Sequence, residues 1–346
     1  MTTHTAHAKI DYVRTIGTVS NSPTGRGFAN PVDAVVSPSG LLFVLNRGPV
    51  GTAAGPNAVC WARIGTYTLD ESFVGDIGTG GLEDGAFAQP TMMAFDSDAN
   101  LYVTDERSNR VSIFDDSGEY IGKWGVAGSD KGELNGPAGI AIDTNNQVYV
   151  VDQHNDRIQK FTTGGDFITS WGTSGNKDGQ FNMPWGIDLD SDQNVYVADW
   201  RNDRIQKFSP QGDFLAAFGE SGDGEGQFNR PSGVAVDKDG YIFVCDWGNH
   251  RIQLLGPDGS FQDLTKGSAT LSKWAIEFLE SNDDEAATRA TANLTPKIPP
   301  HLNTAYHIAT QTEAIFWGAT SIRLDTEGNL YVTEVSRHRI QIFKRG

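Results

Sequence analysis

The 346-residue chain is poor in several things that mark common protein classes. It has two cysteines, Cys60 and Cys245. That is too few for the disulfide framework of a small secreted scaffold, and it fits a reducing compartment. Basic residues are scarce: 27 Lys and Arg stand against 44 Asp and Glu, a formal net charge of −17. No Lys/Arg cluster breaks the acidic background, so the footprint of a nucleic-acid binder or of a protein held on anionic membrane is missing. No apolar run approaches the roughly 20 residues of a membrane helix. The opening MTTHTAHAKIDYV holds no apolar signal-peptide core, and a cytoplasmic location is the expectation. The seven histidines are scattered. There is no G-x-S-x-G elbow, no P-loop and no Cys-rich metal spacing.

What is present is a repeat. Pro90, Pro137, Pro184 and Pro231 are 47 residues apart, and Asp105, Asp152, Asp199 and Asp246 keep the same step. Repeats of this length, made of short strands, stack or close into a shared core. Residues 181–219 read as four strands: GIDLD, VYVAD, RIQKF and FLAAF, separated by DSDQN, WRND and SPQGD. Asp, Asn, Gly and Pro supply the turn geometry. The nearly continuous apolar second strand expects cover on both faces. A radially repeated four-stranded meander is a propeller blade.

Phe28, Phe87, Leu134, Phe181, Phe228 and Phe316 count six blades, and so do Asn46, Asp105, Asp152, Asp199, Asp246 and Glu334. The last copy ends after its third strand. Its fourth is found in Tyr12–Gly17, which matches Phe73–Gly78, so the N-terminal strand closes the ring and removes its free edges. The segments Asn-Asp-Arg-Ile-Gln-Lys-Phe, Asn249-His250-Arg251-Ile252 and Arg337-His338-Arg339-Ile340 resemble NHL repeats over nearly the whole chain outside 266–315. The expected architecture is therefore an all-β, six-bladed NHL propeller: one domain, 1–346, with a mainly helical insertion at 266–315 on the channel face.

Two insertions break the period, both in loops of that face. Twelve extra residues, GPVGTAAGPNAV, follow strand two of blade one; 41 extra lie between blades five and six. The longer one carries Leu271, Trp274, Ala275, Phe278 and Leu279 at helical spacing, then a second helix start at Asp283 and Asp284, then Pro296, Pro299 and Pro300. It reads either as a lid over a pocket or as a buttress.

The acids each have an Arg five residues on: Arg110, Arg157, Arg204, Arg251 and Arg339. This pairing reads as architecture that neutralises a ring of carboxylates. Blade one has Asn46 and no Arg at that spacing, but it carries Arg47, which reads as an anion clamp released from the scheme. The positions that vary around the channel face are the site candidates. After the acid stand Arg47, Glu106, Gln153, Trp200, Trp247 and Val335; after the Pro stand Val32, Thr91, Ala138, Trp185, Ser232 and Thr320. The Trp residues read as channel-plugging core or as pocket walls. His154 is the one channel-face histidine outside the repeat's own pattern, and imidazole suits proton transfer near neutral pH.

The chain is also similar to the peptidyl-hydroxyglycine amidating lyase family. That resemblance implies three metal-binding His at positions that fall here on Thr91, Trp185 and Thr320, an Arg that falls on Arg47 within Asn46-Arg47-Gly48, and a Tyr that falls near His154. None of the three metal positions is a His, so no metal and no other cofactor is expected. The leading expectation is a lyase- or hydrolase-type enzyme acting on a small molecule in the central pocket. Its catalytic candidates are Arg47, His154 and Glu106; its substrate-binding candidates are Asn46, Thr91, Trp185, Trp200, Gln153, Ser232, Trp247 and Thr320. The alternative is a non-catalytic propeller that binds a peptide, protein or small ligand on the same face. A third reading is a metal-dependent, lactonase-like propeller with Asn and Asp ligands.

Overall fold

The computed structural model describes residues 7–20, 22–48 and 61–346. Each repeat folds as an antiparallel four-stranded sheet. The chain enters through β1 (Ile10–Ile16). Blade one is β2–β5 (Pro31–Val36, Leu42–Asn46, Arg63–Tyr67, Phe73–Ile77) and blade two β6–β9 (Pro90–Phe95, Leu101–Asp105, Arg110–Phe114, Tyr120–Trp124). Blade three is β10–β13 (Pro137–Ile142, Gln147–Asp152, Arg157–Thr162, Phe167–Trp171) and blade four β14–β17 (Pro184–Leu189, Val195–Asp199, Arg204–Phe208, Phe214–Phe218). Blade five is β18–β21 (Pro231–Val236, Ile242–Asp246, Arg251–Leu255, Phe261–Thr265). Helices α1 (Lys273–Glu280), α2 (Asp283–Thr291) and α3 (Ala305–Gln311) follow, then β22–β24 (Ala319–Leu324, Asn329–Glu334, Arg339–Arg345). The last sheet has the order β1-β24-β23-β22, with Ile16 opposite Ile340. The ring is closed by the N-terminal strand, as the sequence predicts.

The second strands are buried along their whole length in β7, β15 and β19, and beyond their first residue in β11 and β23; neighbouring blades cover both faces, and each large apolar side chain removed from water contributes about 1.5–3 kcal/mol. The six Phe/Leu markers are fully buried. At the end of strand four a glycine makes room for them: Gly219 has φ +87°, and a Cβ there would stand 2.2 Å from the Phe228 ring.

The strand-two acid is the hub of each regular blade. Asp199 accepts Asn182 N–H (2.9 Å) on one oxygen, and Asn202 Nδ2 (2.9 Å), Arg204 Nε (2.9 Å) and Gln206 Nε2 (3.0 Å) on the other. Arg204 also donates to Lys177 O and Gln180 O, which ties the strand two–three loop to the preceding inter-blade loop. The expected ion pairs form at Asp152–Arg157, Asp199–Arg204, Asp246–Arg251 and Glu334–Arg339.

Two blades depart from this scheme. In blade two, Ser108 and Ser112 replace the Asn and Gln donors. Asp105 instead turns to Ala88, Gln89 and Ser108 N–H; Arg110 keeps its carbonyl partners but its buried Nε has none among the described residues. In blade one, Asn46 does have an arginine opposite it. The twelve inserted residues, nearly all of them (49–59) outside the described part, move it from five to 17 positions on, to Arg63. Its Nε meets Asp76 at 2.7 Å and its Nη2 donates to Gly25 O and Gly27 O. Arg47 is therefore an additional arginine and not a displaced member of the scheme.

The insertion lies across blade six. Ser272 caps α1 by accepting Ala275 N–H at 3.2 Å, so Leu271 precedes the helix. Of the expected apolar stripe only Trp274 is buried; Phe278 is 54% exposed. Trp274 docks α1 between Phe28 and Tyr67, with ring centroids 5.7 and 5.3 Å away. Helix α2 starts where the two aspartates place it. Helix α3, which the sequence reading did not anticipate, packs on Trp247–Asn249 of blade five. No helix of the described residues is long and apolar enough to cross a membrane.

Candidate functional site

The strand two–three loops and the inter-blade loops share one face. Arg47, Glu106, His154 and Arg201 N–H donate to carbonyls of Asn30, Gln89, Asn135 and Asn182. The residues after the acids therefore form a ring around the channel mouth in blade order. Arg47 reaches to the next blade: its Nε donates to Pro90 O (2.7 Å) and its Nη2 to Glu106 Oε2 (2.9 Å). Both side chains are about one-fifth exposed, and Gln89 Nε2 approaches the same oxygen at 3.4 Å. The expected anion clamp and an expected proton-transfer group are thus one ion pair. Gln153 follows, buried, with its Nε2 unpartnered among the described residues. Trp200 and Trp247 come next, with centroids 6.3 Å apart; the Arg201 and Arg230 guanidiniums lie 5.6 and 5.2 Å from the Trp200 ring. The mouth has a polar arc over blades one to three and an aromatic arc over blades four and five. His154 stands exposed at its margin, over Gly136.

The other candidates lie deeper. Thr91, Ser232 and Thr320 use their hydroxyls between blades, donating to Pro137 O (2.9 Å), Ala319 O (3.2 Å) and Val32 O (3.0 Å). Asn46 is fully buried, accepting Ala29 N–H and donating to Val44 O, so it supports the mouth and does not line it. Trp185 packs against the cores of blades two to four.

The channel holds a charged group that the sequence reading passed over. The inner strands have a ladder partner on one edge only, so their other edge needs acceptors. Asp33 of blade one takes Met93 N–H (2.9 Å), and Asp188 of blade four takes Val236 N–H (2.8 Å). Arg323 of blade six holds Asp33 with two bonds, 3.1 and 3.0 Å, and reaches Met93 O. The signal was present: the aligned column reads Val35, Ala94, Ala141, Asp188, Ala235, Arg323, two charges among small apolar residues. Among the described residues no three His, Cys, Asp or Glu come together as metal ligands.

Known families match this geometry. The NHL repeat model matches residues 181–208, 228–253 and 316–343, and a six-bladed β-propeller model matches 93–171. The chain is a six-bladed propeller that carries NHL repeats. Among solved structures the propeller resembles a streptogramin B lyase, with 13% identity over 97% of this chain and 98% of the other at TM-score 0.55. Virginiamycin B lyase from Staphylococcus aureus gives 13%, 97%, 99% and 0.54. An auxiliary nutrient binding protein from Bacteroides thetaiotaomicron gives 12%, 98%, 77% and 0.61. At these identities the likeness is one of fold. No curated protein matches the sequence.

In this NHL propeller the channel carboxylate Asp188 has a measurable consequence. Burial pushes its carboxyl up to about 6, against the opposing pull of Val236 N–H and Arg323. It retains some contact with the channel space, but protein surrounds it closely enough to strip most hydration. Between pH 4 and 6 the folded protein keeps a proton that the unfolded chain has released, so stability falls as pH rises through that window. Asp188→Asn keeps the acceptor for Val236 and removes the charge. We expect it to stabilise the protein by about 2–3 kcal/mol at pH 8 and by only about 1 kcal/mol at pH 4.5. Denaturant titrations at both pH values check this; an equal effect at the two would dismiss the charge as the cause.

Proposed function

We propose that this propeller acts on a small molecule held at the channel mouth, with proton-transfer chemistry of lyase or hydrolase type. One observation carries the reading: the Arg47–Glu106 pair and the Trp200–Trp247 pair occupy a single ring, polar on one arc and aromatic on the other. Such a mouth fits a ligand with an anionic end and an apolar or ring-bearing body. A ligand anion competes with Glu106 for Arg47; the displaced carboxylate then stands beside the ligand as a base, and His154 at the margin is the second group able to move a proton. The lyases of similar fold support the reaction class by analogy only.

A thermal-shift screen against a broad metabolite panel tests the proposal, because a ligand that binds only the native state raises stability by about 2.7 kcal/mol at a hundredfold excess over Kd. The expected result is a chemically coherent set of hits. Arg47→Ala loses them, with turnover down roughly 10- to 100-fold, the worth of one charged hydrogen bond, while the ring stays folded. Normal binding and turnover in Arg47→Ala would reject the site. A non-catalytic, partner-binding reading draws on Ile276, Phe278 and Tyr306, which leave 44%, 54% and 56% of their surfaces exposed on the insertion. Silence across the panel, with capture of a partner lost in Phe278→Ser, would favour it.

A further inference from the structure

The insertion leaves a cleft of about 420 Å³ between the entry to α1 and the strand two–three loop of blade six. None of the channel-mouth residues lines it. The residue that does not fit the repeat here is Arg337. Its counterparts are Asn155, Asn202 and Asn249, whose amides each donate to the blade's acid and to one carbonyl of the preceding loop. Arg337 keeps the second task, donating from Nη2 to Ala309 O (2.8 Å) and Thr312 O (3.1 Å) of the insertion. An amide would satisfy that need without a charge.

The guanidinium brings a charge that no carboxylate of the described residues bonds: Glu334 and Glu313 act on it only from beyond ion-pair distance, and its face lies 5.5 Å from the Trp317 ring. Its buried Nε has no partner among the described residues. Glu334 is already held by Arg339 and Gln341, and Glu313 by Arg289. Burial and the neighbouring Arg339 charge push the Arg337 pKa down, the direction expected of a cation short of a counter-ion. The same cleft collects unused donors. Among the described residues Thr18 and Ser336 make no side-chain hydrogen bond, and Ser272 accepts from Ala275 N–H while its own O–H donates to none of them. A desolvated arginine beside neutral hydroxyls, in a cleft whose carboxylate, Glu313, is held by Arg289 and whose volume is within the usual ligand range of roughly 300–1,000 Å³, favours an anion.

We propose that this cleft binds a small molecule bearing a carboxylate or phosphate group, with Arg337 as its counter-ion and Thr18, Ser272 and Ser336 as neutral donors. The probes are succinate and inorganic phosphate, titrated by calorimetry and thermal shift against sodium chloride of matched ionic strength. A saturable response to at least one probe, absent with chloride, is expected; which probe answers tells the carboxylate from the phosphate source. Arg337→Gln raises the dissociation constant at least tenfold. Thr18→Trp fills the cleft while leaving the Arg337 carbonyl bonds in place, and abolishes the response in a protein with unchanged circular dichroism. Arg47→Ala retains it. No saturable response to either probe overturns the proposal. So does a response that survives Thr18→Trp, or one that disappears in Arg47→Ala, which would put the anion at the channel mouth.

Discussion

Trp274→Ala will release α1 from the rim of a propeller that stays folded. The side chain is 3% exposed, and it is the one residue of α1 in the core. It closes an aromatic trio in which Phe28 and Tyr67 are themselves 5.5 Å apart, and its Nε1 donates to Glu71 O at 2.6 Å. Glu71 is a junction: its two carboxylate oxygens accept Lys273 N–H (3.0 Å) and Gly17 N–H (3.3 Å). The tryptophan therefore pins the helix to the seam between blades six and one. Removing so large a buried side chain costs about 3–5 kcal/mol. The ring has its own closure in β1 against β24, so the loss falls on the insertion. Hydrogen exchange across α1 and α2 should quicken by roughly a hundred- to a thousandfold, with the β-strands unchanged. Collapse of the whole ring would instead make the insertion part of the closure. Unaltered exchange would mean that the segment is held by something other than Trp274.

The periodic part of the fold was legible because each blade repeats the same physical need. The acid must be fed by backbone N–H and by arginine, and the second strand must be apolar on both faces; both leave a mark every 47 residues. The N-terminal strand was legible as the strand missing from blade six. What the period could not carry was hidden. Arg63 escaped because an insertion of twelve residues separated it from Asn46 in sequence and not in the sheet. The Asp105–Arg110 pair looked like the other four, but the serines at 108 and 112 cannot reach the carboxylate as Asn and Gln do, and Asp105 turns away. Thr91, Ser232 and Thr320 sat at ring positions that looked open to ligand; their role as inter-blade donors depends on the distance between inner strands, which spacing along the chain does not encode. The channel charges Asp33, Asp188 and Arg323 needed the inner strands to be aligned as columns. The mouth itself was found residue by residue, but not that Arg47 and Glu106 neutralise each other, since they are 59 positions apart and meet only because consecutive blades are neighbours.

Arg251→Ala is the other substitution with a large expected effect, and its size depends on pH. Arg251 Nε lies 2.7 Å from Asp246, both side chains are nearly inaccessible, and the remaining guanidinium donors hold Asp223 O, Gly224 O and Gln227 O. Truncation leaves a buried carboxylate with only Asn229 N–H, Asn249 and Gln253 around it. Breaking a buried pair in this way costs about 3–5 kcal/mol. Burial already raises the Asp246 pKa while the arginine pulls it down; without the arginine it rises further. A carboxyl raised in the folded state favours folding at low pH and loses that contribution as pH climbs through the folded value. The loss in Arg251→Ala should therefore be larger at pH 8 than at pH 5. Blade one supplies the remedy, since it runs with Asn46 at the acid position and no charge there. Adding Asp246→Asn should recover part of the loss at pH 8 and little at pH 5, and the part not recovered belongs to the three carbonyls that lose the guanidinium, of which Gln227 O keeps Gln253 Nε2. Urea unfolding of the wild type, both single variants and the double variant at the two pH values gives the coupling directly. A loss below about 1 kcal/mol at both pH values, the range of exposed ion pairs, would show that the hub acids are held by backbone and amide donors alone, and that the recurring arginine serves the inter-blade carbonyls and not the charge.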